Sequence, residues 1–286
     1  MIERIADQRG TVVGLAIDHR DSLRAAALRR GLPAEPATLR AFKADVTAAL
    51  APHASVVLLD DELGGDAIAR LPGGTALAMP LEAQGYESVG DARVTTLLAD
   101  FPPARARERG AVACKLLLPY HPDHAEAARL QEAVARGAID DCHAAGVGLV
   151  LEPIAYGAEG ASFALCVIET ARRLAQLGPD LLKLQFPAGS PDDGAACRAV
   201  TDACGQVPWV LLGGGADART FLQQLAVATA AGARGFIAGR TVWDAALVGG
   251  ARERAQALAG VCLPLLREAA VTAGAERRGA AGGRTS

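Results

Sequence analysis

The sequence predicts a single (β/α)8 barrel, because eight short apolar segments alternate with longer helical segments along a chain of 286 residues. A barrel of this class typically takes about 250 residues. The apolar segments are mostly continuous rather than alternating, which is typical of parallel strands covered on both faces. They span residues 12–18, 55–60, 75–80, 111–118, 146–154, 181–186, 209–215 and 235–240. A doubly wound open sheet is the alternative architecture.

Most connections between these segments repeat Ala, Leu and Arg at helical spacing, which predicts a helix after most strands. The clearest helical segments are 37–50, 126–144, 162–177 and 218–231. The 60–75 connection is too short for a full helix, and the 81–110 segment is irregular enough to displace one. We therefore predict one domain over residues 1–270, followed by a polar, Gly-rich flexible tail over 271–286.

Composition and charge favour a cytoplasmic protein that binds a small molecule. Hydrophobic residues make up 51% of the chain and the net charge is −3, so neither nucleic acid nor a membrane surface is an expected partner. No uninterrupted apolar run reaches the ~18 residues of a membrane span, and the charged segment 1–10 lacks the apolar core of a signal peptide. The six cysteines form no CxxC pair, which predicts free, buried thiols.

Lysine is scarce in this chain, and its scarcity draws attention to the lysines that remain. Only Lys43, Lys115 and Lys183 occur among 29 basic residues. Because arginine serves everywhere else as the cation, a retained lysine is suspected of chemistry that arginine cannot perform, such as losing its proton and attacking a carbonyl. We expect Lys43, in the first helical segment, to lie at the surface, whereas the other two lysines lie within apolar strands.

Active sites of this fold lie at the carboxyl ends of the strands, and charged residues stand there in this chain. Asp18 ends the first strand, and Lys115, Glu152 and Lys183 lie in the fourth, fifth and sixth. A charged side chain facing the helix layer would be costly to bury, and side chains alternate along a strand. These groups should therefore converge inside the barrel mouth, with Gln185 on the same face as Lys183.

Such a cluster suggests imine chemistry. A nucleophilic lysine needs its pKa of about 10.4 lowered, and desolvation or a second cation such as Lys115 would lower it. The neutral amine of Lys183 could then attack a ketone, and the protonated imine would accept electrons as a neighbouring C–C bond breaks. Glu152 is the candidate acid/base, with Asp18 as the second candidate. An internal ion-pair network that only stabilises the barrel is the alternative.

The Gly-rich ends of the seventh and eighth strands predict a phosphate site, since this fold often binds phosphate there on backbone N–H groups. Arg240 could add charge-assisted hydrogen bonds, although three successive glycines also suit a tight turn. The residues predicted to bind the substrate or its phosphate are Gly213, Gly214, Gly215, Gly239, Arg240, Arg20 and Gln185.

Other polar features receive simpler interpretations. Asp60 and its two acidic neighbours predict a solvated loop in preference to a metal site, and Trp243 predicts a packing anchor. His121 and His124 lie on a turn and supply too few ligands for zinc. No metal and no cofactor are therefore expected.

Seven motifs, in this order and spacing, resemble the class I aldolases of the tagatose-1,6-bisphosphate aldolase family, which includes the 6-deoxy-6-sulfofructose-1-phosphate aldolases. The resemblance covers residues 11–265, and its last two motifs look especially like the sulfofructose branch. The motifs are LAIDHR at 15–20, LLDDELG at 58–64, CKLLLPY at 114–120, LEPIAYG at 151–157, DLLKLQFP at 180–187, PWVLLGGGAD at 208–217 and GFIAGRTVW at 235–243.

The resemblance implies a role for each residue of the cluster. Lys183 matches the Schiff-base lysine of that family, Lys115 its second active-site lysine, Glu152 its acid/base glutamate and Asp18 its first-strand aspartate. It also implies that no metal is needed and that a ketose phosphate is cleaved to dihydroxyacetone phosphate and an aldehyde. The expected partner is thus a sugar phosphate, and we also expect a homo-oligomer.

Four positions depart from the family pattern. The family commonly has serine where Gly213 and Gly214 stand, glutamate where Gln185 stands and glutamine where His19 stands. These departures are compatible with imine chemistry but leave the sugar open. Two alternative functions also remain: a sugar-phosphate isomerase or epimerase that uses Glu152 and Lys115, and a non-catalytic phosphosugar-binding regulator.

Overall fold

Eight parallel strands pair in chain order, and the last pairs with the first to close a barrel. The computed structural model describes residues 1–89 and 92–282. The predicted (β/α)8 fold is therefore confirmed over the open sheet, and each predicted segment contains its strand or overlaps it. The strands are β1 (Val12–Ala16), β2 (Val56–Leu58), β3 (Ala76–Pro80), β4 (Ala113–Tyr120), β5 (Gly148–Ala155), β6 (Leu181–Leu184), β7 (Trp209–Leu212) and β8 (Gly235–Ala238).

Helices surround the barrel, and the four clearest helical predictions are confirmed by helices at Pro36–Leu50, Ala125–Ala144, Gly160–Ala175 and Ala218–Ala230. The short connection after β2 holds only one helical turn, Gly65–Ile68. The irregular 81–110 segment holds an antiparallel hairpin, Glu87–Val89 and Ala92–Val94, and the short helix α5. The helices are α1 (Ile2–Ile5), α2 (Asp21–Arg29), α3 (Pro36–Leu50), α4 (Gly65–Ile68), α5 (Pro103–Glu108), α6 (Ala125–Ala144), α7 (Gly160–Ala175), α8 (Asp193–Cys204), α9 (Ala218–Ala230), α10 (Arg240–Trp243), α11 (Ala251–Ala257) and α12 (Leu263–Gly282).

Helix α12 continues into the segment for which the sequence predicts a tail. Residues up to Gly282 are helical, and residues 283–286 lie outside the described part of the chain. Flexibility of this segment stays a prediction.

Inward-facing side chains fill the barrel and leave its carboxyl end open to the site. The amino-terminal end is covered by α1, whose Ile5 is buried in the interior cluster, while the partly buried Met1 and Ile2 pack against it. The charged residues predicted for the site lie further along the strands than this apolar interior, at the carboxyl end of the barrel. The apolar interior consists of Val12, Ala16, Val56, Leu58, Ala78, Ala113, Val150, Leu181, Val210 and Ile237.

The outward faces of the strands pack against the helices. Leu182, Leu184 and Phe186 lie in this outer core, so the predicted alternation along β6 is confirmed. Trp243 is fully buried there, and its Nε1 donates to the carbonyl oxygen of Ala16 at 2.8 Å, which confirms it as a packing anchor. All six cysteines are buried and free, as predicted.

The surface position predicted for Lys43 is wrong. Its side chain is fully buried, and Nζ forms an ion pair with Asp60 Oδ1. Asp60 Oδ2 accepts from the backbone N–H of Leu63 at 2.7 Å, so the first residue of the supposed solvated loop is buried as well. Asp61 pairs with Arg109 at 2.7 Å.

One helical stretch in the described part of the chain, Ala251–Ala275, is long and apolar enough to cross a membrane by length and composition alone. Its residues Leu258, Cys262, Leu266 and Ala269 are buried in the outer core. A core helix of a barrel has the same composition, so this stretch is weak evidence for a membrane partner.

Candidate active site

Four charged side chains meet at the mouth of the barrel, each delivered by a different strand or strand end. Lys183 Nζ lies 2.8 Å from Glu152 Oε1, and Lys115 Nζ lies 2.8 Å from Asp18 Oδ2 and 3.6 Å from Glu152 Oε2. All four side chains are less than one-tenth exposed. The predicted convergence of these groups is therefore confirmed.

A fifth charged residue, Glu82, was missed at the sequence level. Its Oε1 accepts from Lys115 Nζ, and its Oε2 accepts from the backbone N–H of Leu117 at 3.2 Å. Glu82 follows Pro80, the last residue of β3, and the period of two along a strand places Ala78, Pro80 and Glu82 on one face. That alternation is the signal that could have identified it.

Lys115 is a buried cation that is balanced by three acids. Burial opposes its charged form, but Asp18, Glu82 and Glu152 outweigh burial and hold the pKa of Lys115 well above its usual value. Burial would raise the pKa of Asp18, yet Lys115, His19 and Lys183 bring it well below its usual range. The positive charge expected to act on Lys183 is thus largely offset by the partners of Lys115.

The same five groups open into one cavity of about 540 Å³, which is within the usual range for a small-molecule site. Every residue predicted for catalysis or substrate binding lines it. These residues are Asp18, Arg20, Lys115, Glu152, Lys183, Gln185, Gly213, Gly214, Gly215, Gly239 and Arg240.

The backbone after β7 adopts a conformation that favours glycine. Gly214 and Gly215 have φ of +58° and +76°, the left-handed region that other residues rarely enter. A Cβ on Gly213 would lie 2.9 Å from Thr241 Oγ1, which donates to the carbonyl oxygen of Gly213. A serine at 213 would therefore require Thr241 to move. Beyond β8, Gly239 precedes α10 without a side-chain cap.

Arg20 and Gln185 hold neighbouring segments as well as lining the cavity. Arg20 is buried, and its Nη2 donates to the carbonyl oxygen of Glu82 at 2.7 Å. Gln185 Oε1 accepts from the backbone N–H of Ala155 at 2.7 Å. Gln185 thus joins the ends of the adjacent strands β5 and β6, whereas Arg20 connects the end of β1 to the segment after β3, two strands away.

His19 also lines the cavity, although it was not among the predicted site residues. Its ring lies edge-on to Trp243 at 5.2 Å between centroids, and Nδ1 is 3.7 Å from Asp18 Oδ1. Burial lowers the pKa of His19 to about 4. The imidazole is therefore neutral near neutral pH.

This lowered pKa predicts a pH dependence of stability. As the pH falls from 6.5 to about 4, the unfolded chain protonates this histidine before the folded one does, so His19 makes folding less favourable in that window. The variant His19→Gln has no such titration. Between pH 7 and pH 4, wild type should lose on the order of 2–3 kcal/mol more unfolding free energy than the variant. Urea unfolding at both pH values measures this, and parallel losses would contradict it.

Within the described residues, no three His, Cys, Asp or Glu side chains are arranged so that they could hold a metal ion. His121 and His124 stack with 4.5 Å between centroids, and His124 Nδ1 lies 3.0 Å from the Tyr156 hydroxyl. These histidines are separate from the residues that line the cavity.

Comparison with known proteins finds aldolases both by family profile and by sequence similarity. A profile of the DeoC/LacD family aldolases matches residues 12–245. The chain is 26% identical over 270 residues to a tagatose 1,6-diphosphate aldolase from Listeria monocytogenes, covering 85% of this chain and 80% of that protein. It is 27% identical over 272 residues to tagatose 1,6-diphosphate aldolase 1 from Streptococcus mutans, covering 85% and 83%.

Among solved structures, an archaeal fructose-1,6-bisphosphate aldolase with its catalytic Lys bound to a carbinolamine intermediate superposes with a TM-score of 0.60. The two chains share 19% identity, and the match covers 95% of this chain and 97% of that one. This likeness supports the barrel fold. Because the family profile spans most of the chain, the protein belongs to the DeoC/LacD aldolase family and is a lyase.

Proposed function

We propose that this protein is a class I aldolase that cleaves a ketose phosphate, carrying either a second phosphate or a sulfonate, through a Schiff base on Lys183. The products are dihydroxyacetone phosphate and an aldehyde, and no metal is required. The observation that carries the proposal is the amine of Lys183, which lies 2.8 Å from Glu152 inside the 540 Å³ cavity. We further expect the enzyme to be cytoplasmic and homo-oligomeric, as predicted from the sequence.

Imine formation uses the two groups that are in contact. The neutral amine of Lys183 attacks the ketone carbon, and a proton moves from nitrogen to oxygen to give a carbinolamine. Its hydroxyl then leaves as water after protonation, which produces a positively charged imine. Glu152, at hydrogen-bond distance from Lys183, is the group that moves these protons.

Cleavage follows from the electron demand of the imine. A base takes the proton from the substrate hydroxyl that lies two carbons from the imine carbon. The C–C bond next to that hydroxyl carbon then breaks, and the aldehyde leaves. The electron pair of the broken bond moves toward the imine nitrogen, which gives an enamine. Glu152 is the first candidate for this base and Asp18 the second. The imine is thereby the electron sink of the reaction. Protonation of the enamine and hydrolysis release dihydroxyacetone phosphate and return the amine.

The phosphate of the substrate binds at the ends of β7 and β8. Gly213, Gly214, Gly215 and Gly239 line this part of the cavity, and glycine allows a phosphate to approach the backbone closely. Arg240 adds a cation. This arrangement holds the ketone end of the sugar toward Lys183, while relatives named tagatose 1,6-diphosphate aldolase support a sugar phosphate as the substrate.

Arg240→Met should weaken substrate binding without removing the chemistry. We expect KM to rise about 10- to 100-fold, equivalent to roughly 1.4–3 kcal/mol, with kcat changed by less than about threefold. Arg219→Met, at an exposed position on α9, is the matched control and should behave as wild type. Steady-state kinetics measure both variants. An unchanged KM for Arg240→Met would exclude Arg240 from the phosphate site.

A coupled assay for dihydroxyacetone phosphate tests the proposed function. Tagatose 1,6-bisphosphate, 6-deoxy-6-sulfofructose 1-phosphate and fructose 1,6-bisphosphate are supplied separately, each with and without EDTA. The proposal predicts release of dihydroxyacetone phosphate from at least one ketose, at a rate that EDTA leaves unchanged. Conversion of a ketose to its isomer without this product would favour the isomerase alternative, and loss of activity in EDTA would contradict the metal-independent route.

A further inference from the structure

The ionisable groups at the barrel mouth form one buried cluster in which charge is closely balanced. Lys115 contacts three carboxylates, and Lys183 contacts one of them. A third cation, Arg20, donates to the main chain of Glu82. When every group is ionised the cluster is neutral. Its members are Asp18, Glu82, Glu152, Lys115, Lys183 and Arg20, each less than one-tenth exposed.

This balance creates a problem for the proposed nucleophile. Lys183 must lose a proton before it can attack a carbonyl. Loss of that proton to solvent would leave the cluster with one uncompensated negative charge, which is costly among side chains that are each less than one-tenth exposed. Transfer of the proton to a carboxylate within the cluster avoids that cost, because the total charge does not change.

Resting on the proposed Schiff base at Lys183, we propose that Glu82 is the carboxyl group that stores this proton while the amine is neutral. Glu82 does not need to touch the substrate. It is a positioning residue: it holds the proton and exchanges it with Lys183 through Lys115 and Glu152. Lys183 and Glu82 then exchange one proton during each turnover.

Glu82 is favoured over the other two carboxyl groups by its surroundings. Glu152 lies between the two lysines, 2.8 Å from Lys183 and 3.6 Å from Lys115, and is already the group proposed to move protons at the substrate. The pKa of Asp18 is well below its usual range. For Glu82, burial raises the pKa, and the nearby charge of Asp18 adds to this against the pull of Lys115.

The contacts supply a continuous route for the proton. Lys183 Nζ lies against Glu152 Oε1, Glu152 Oε2 lies 3.6 Å from Lys115 Nζ, and Lys115 Nζ contacts Glu82 Oε1. Lys183 gives a proton to Glu152, Lys115 gives one to Glu82, and Lys115 regains one from Glu152. The net result is a neutral amine and a carboxylic acid, with Glu152 and Lys115 unchanged.

The stored proton has a defined use in the next step. As the carbinolamine hydroxyl leaves, the proton returns from Glu82 by the same route and completes a water molecule. The positive imine on Lys183 is then balanced by the Glu82 carboxylate. The cluster therefore keeps the same total charge before attack and after imine formation.

Glu82→Gln tests this assignment, because glutamine keeps the size and can accept from Leu117 but cannot take up a proton. We expect kcat at pH 7 to fall about 100-fold. Because glutamine removes one negative charge, the same charge balance predicts a neutral Lys183 amine in the unliganded variant, so imine formation with dihydroxyacetone phosphate should take up close to one proton from solvent. In wild type that proton comes from Glu82, so close to none should be taken up. Titration calorimetry at pH 8 in buffers of low and high ionisation enthalpy measures that proton.

The controls separate a proton store from a structural acid. Glu82→Asp should recover activity to within about tenfold of wild type, and Asp61→Asn, an acid outside the cluster that pairs with Arg109, should leave kcat unchanged. Borohydride adducts at Lys183 in wild type test the proposed function separately. If those adducts form while Glu82→Gln keeps kcat within twofold and takes up no extra proton, the inference is overturned and the Schiff-base proposal stands. If wild type forms none, both fail.

Discussion

Lys183→Arg is expected to lower kcat by about four orders of magnitude or more while the barrel remains folded. Arginine keeps the positive charge and can pair with Glu152, so the ion pair at 2.8 Å has a replacement. It cannot lose its proton at accessible pH and cannot form an imine. Turnover therefore disappears for a chemical reason and not because the cluster loses a cation.

Steady-state kinetics with the best ketose phosphate measure the effect. Thermal unfolding within a few degrees of wild type, together with retained binding of dihydroxyacetone phosphate, would show that fold and phosphate site are intact. Activity within tenfold of wild type would refute the role of Lys183 and favour chemistry that needs no imine.

Lys115→Met is expected to reduce both stability and activity. Methionine removes the only cation that contacts Asp18, Glu82 and Glu152 together within the described residues. Breaking a buried ion pair by removing one partner typically costs about 3–5 kcal/mol, and urea unfolding at pH 7 should show a loss of that size. Turnover should fall as well, because the proton route through Lys115 is interrupted.

The same loss should depend on pH in a definite direction. Lys115 holds the folded-state pKa of Asp18 below its unfolded value of 3.8, so this stabilisation is present above about pH 4 and declines as the pH falls further. The deficit of Lys115→Met should therefore shrink below pH 4. A compensated variant that also carries Asp18→Asn and Glu82→Gln should regain much of the stability but no activity. A Lys115→Met protein as stable as wild type at pH 7 would contradict the account.

The cluster has features of both interpretations that the sequence allowed, a structural ion-pair network and a catalytic site. Lys115 has three acidic partners and its pKa is raised, which is the behaviour of a structural ion-pair centre. Within the described residues, Lys183 forms an ion pair with one carboxylate, Glu152, and lines the cavity. The two lysines thus differ in environment, and this difference supports the proposal that Lys115 balances charge while Lys183 is the nucleophile.

The barrel and the main site residues were predictable because both follow from local patterns. Continuous apolar segments gave the strands, and alternation along β4 and β6 gave the inward direction of Lys115 and Lys183. Glu82 escaped because it lies just beyond β3, at the start of an irregular segment whose backbone path the sequence does not determine. Its alternation with Pro80 was nevertheless visible.

Lys43 was mispredicted for a different reason. Its partner Asp60 lies at the end of β2, and the pair forms only when α3 packs onto the barrel. No local pattern distinguishes a lysine on the buried side of α3 from an exposed one without that packing. The scarcity of lysine was the available signal, since it marked Lys43 as well as the two lysines of the site.

Borohydride reduction in the presence of dihydroxyacetone phosphate, followed by peptide mass mapping, tests the imine on Lys183 most directly. One stable adduct should appear on the peptide that contains Lys183, and none on peptides containing Lys43 or Lys115. An enzyme that turns over a ketose phosphate yet shows no adduct, or an adduct only at another lysine, would contradict it.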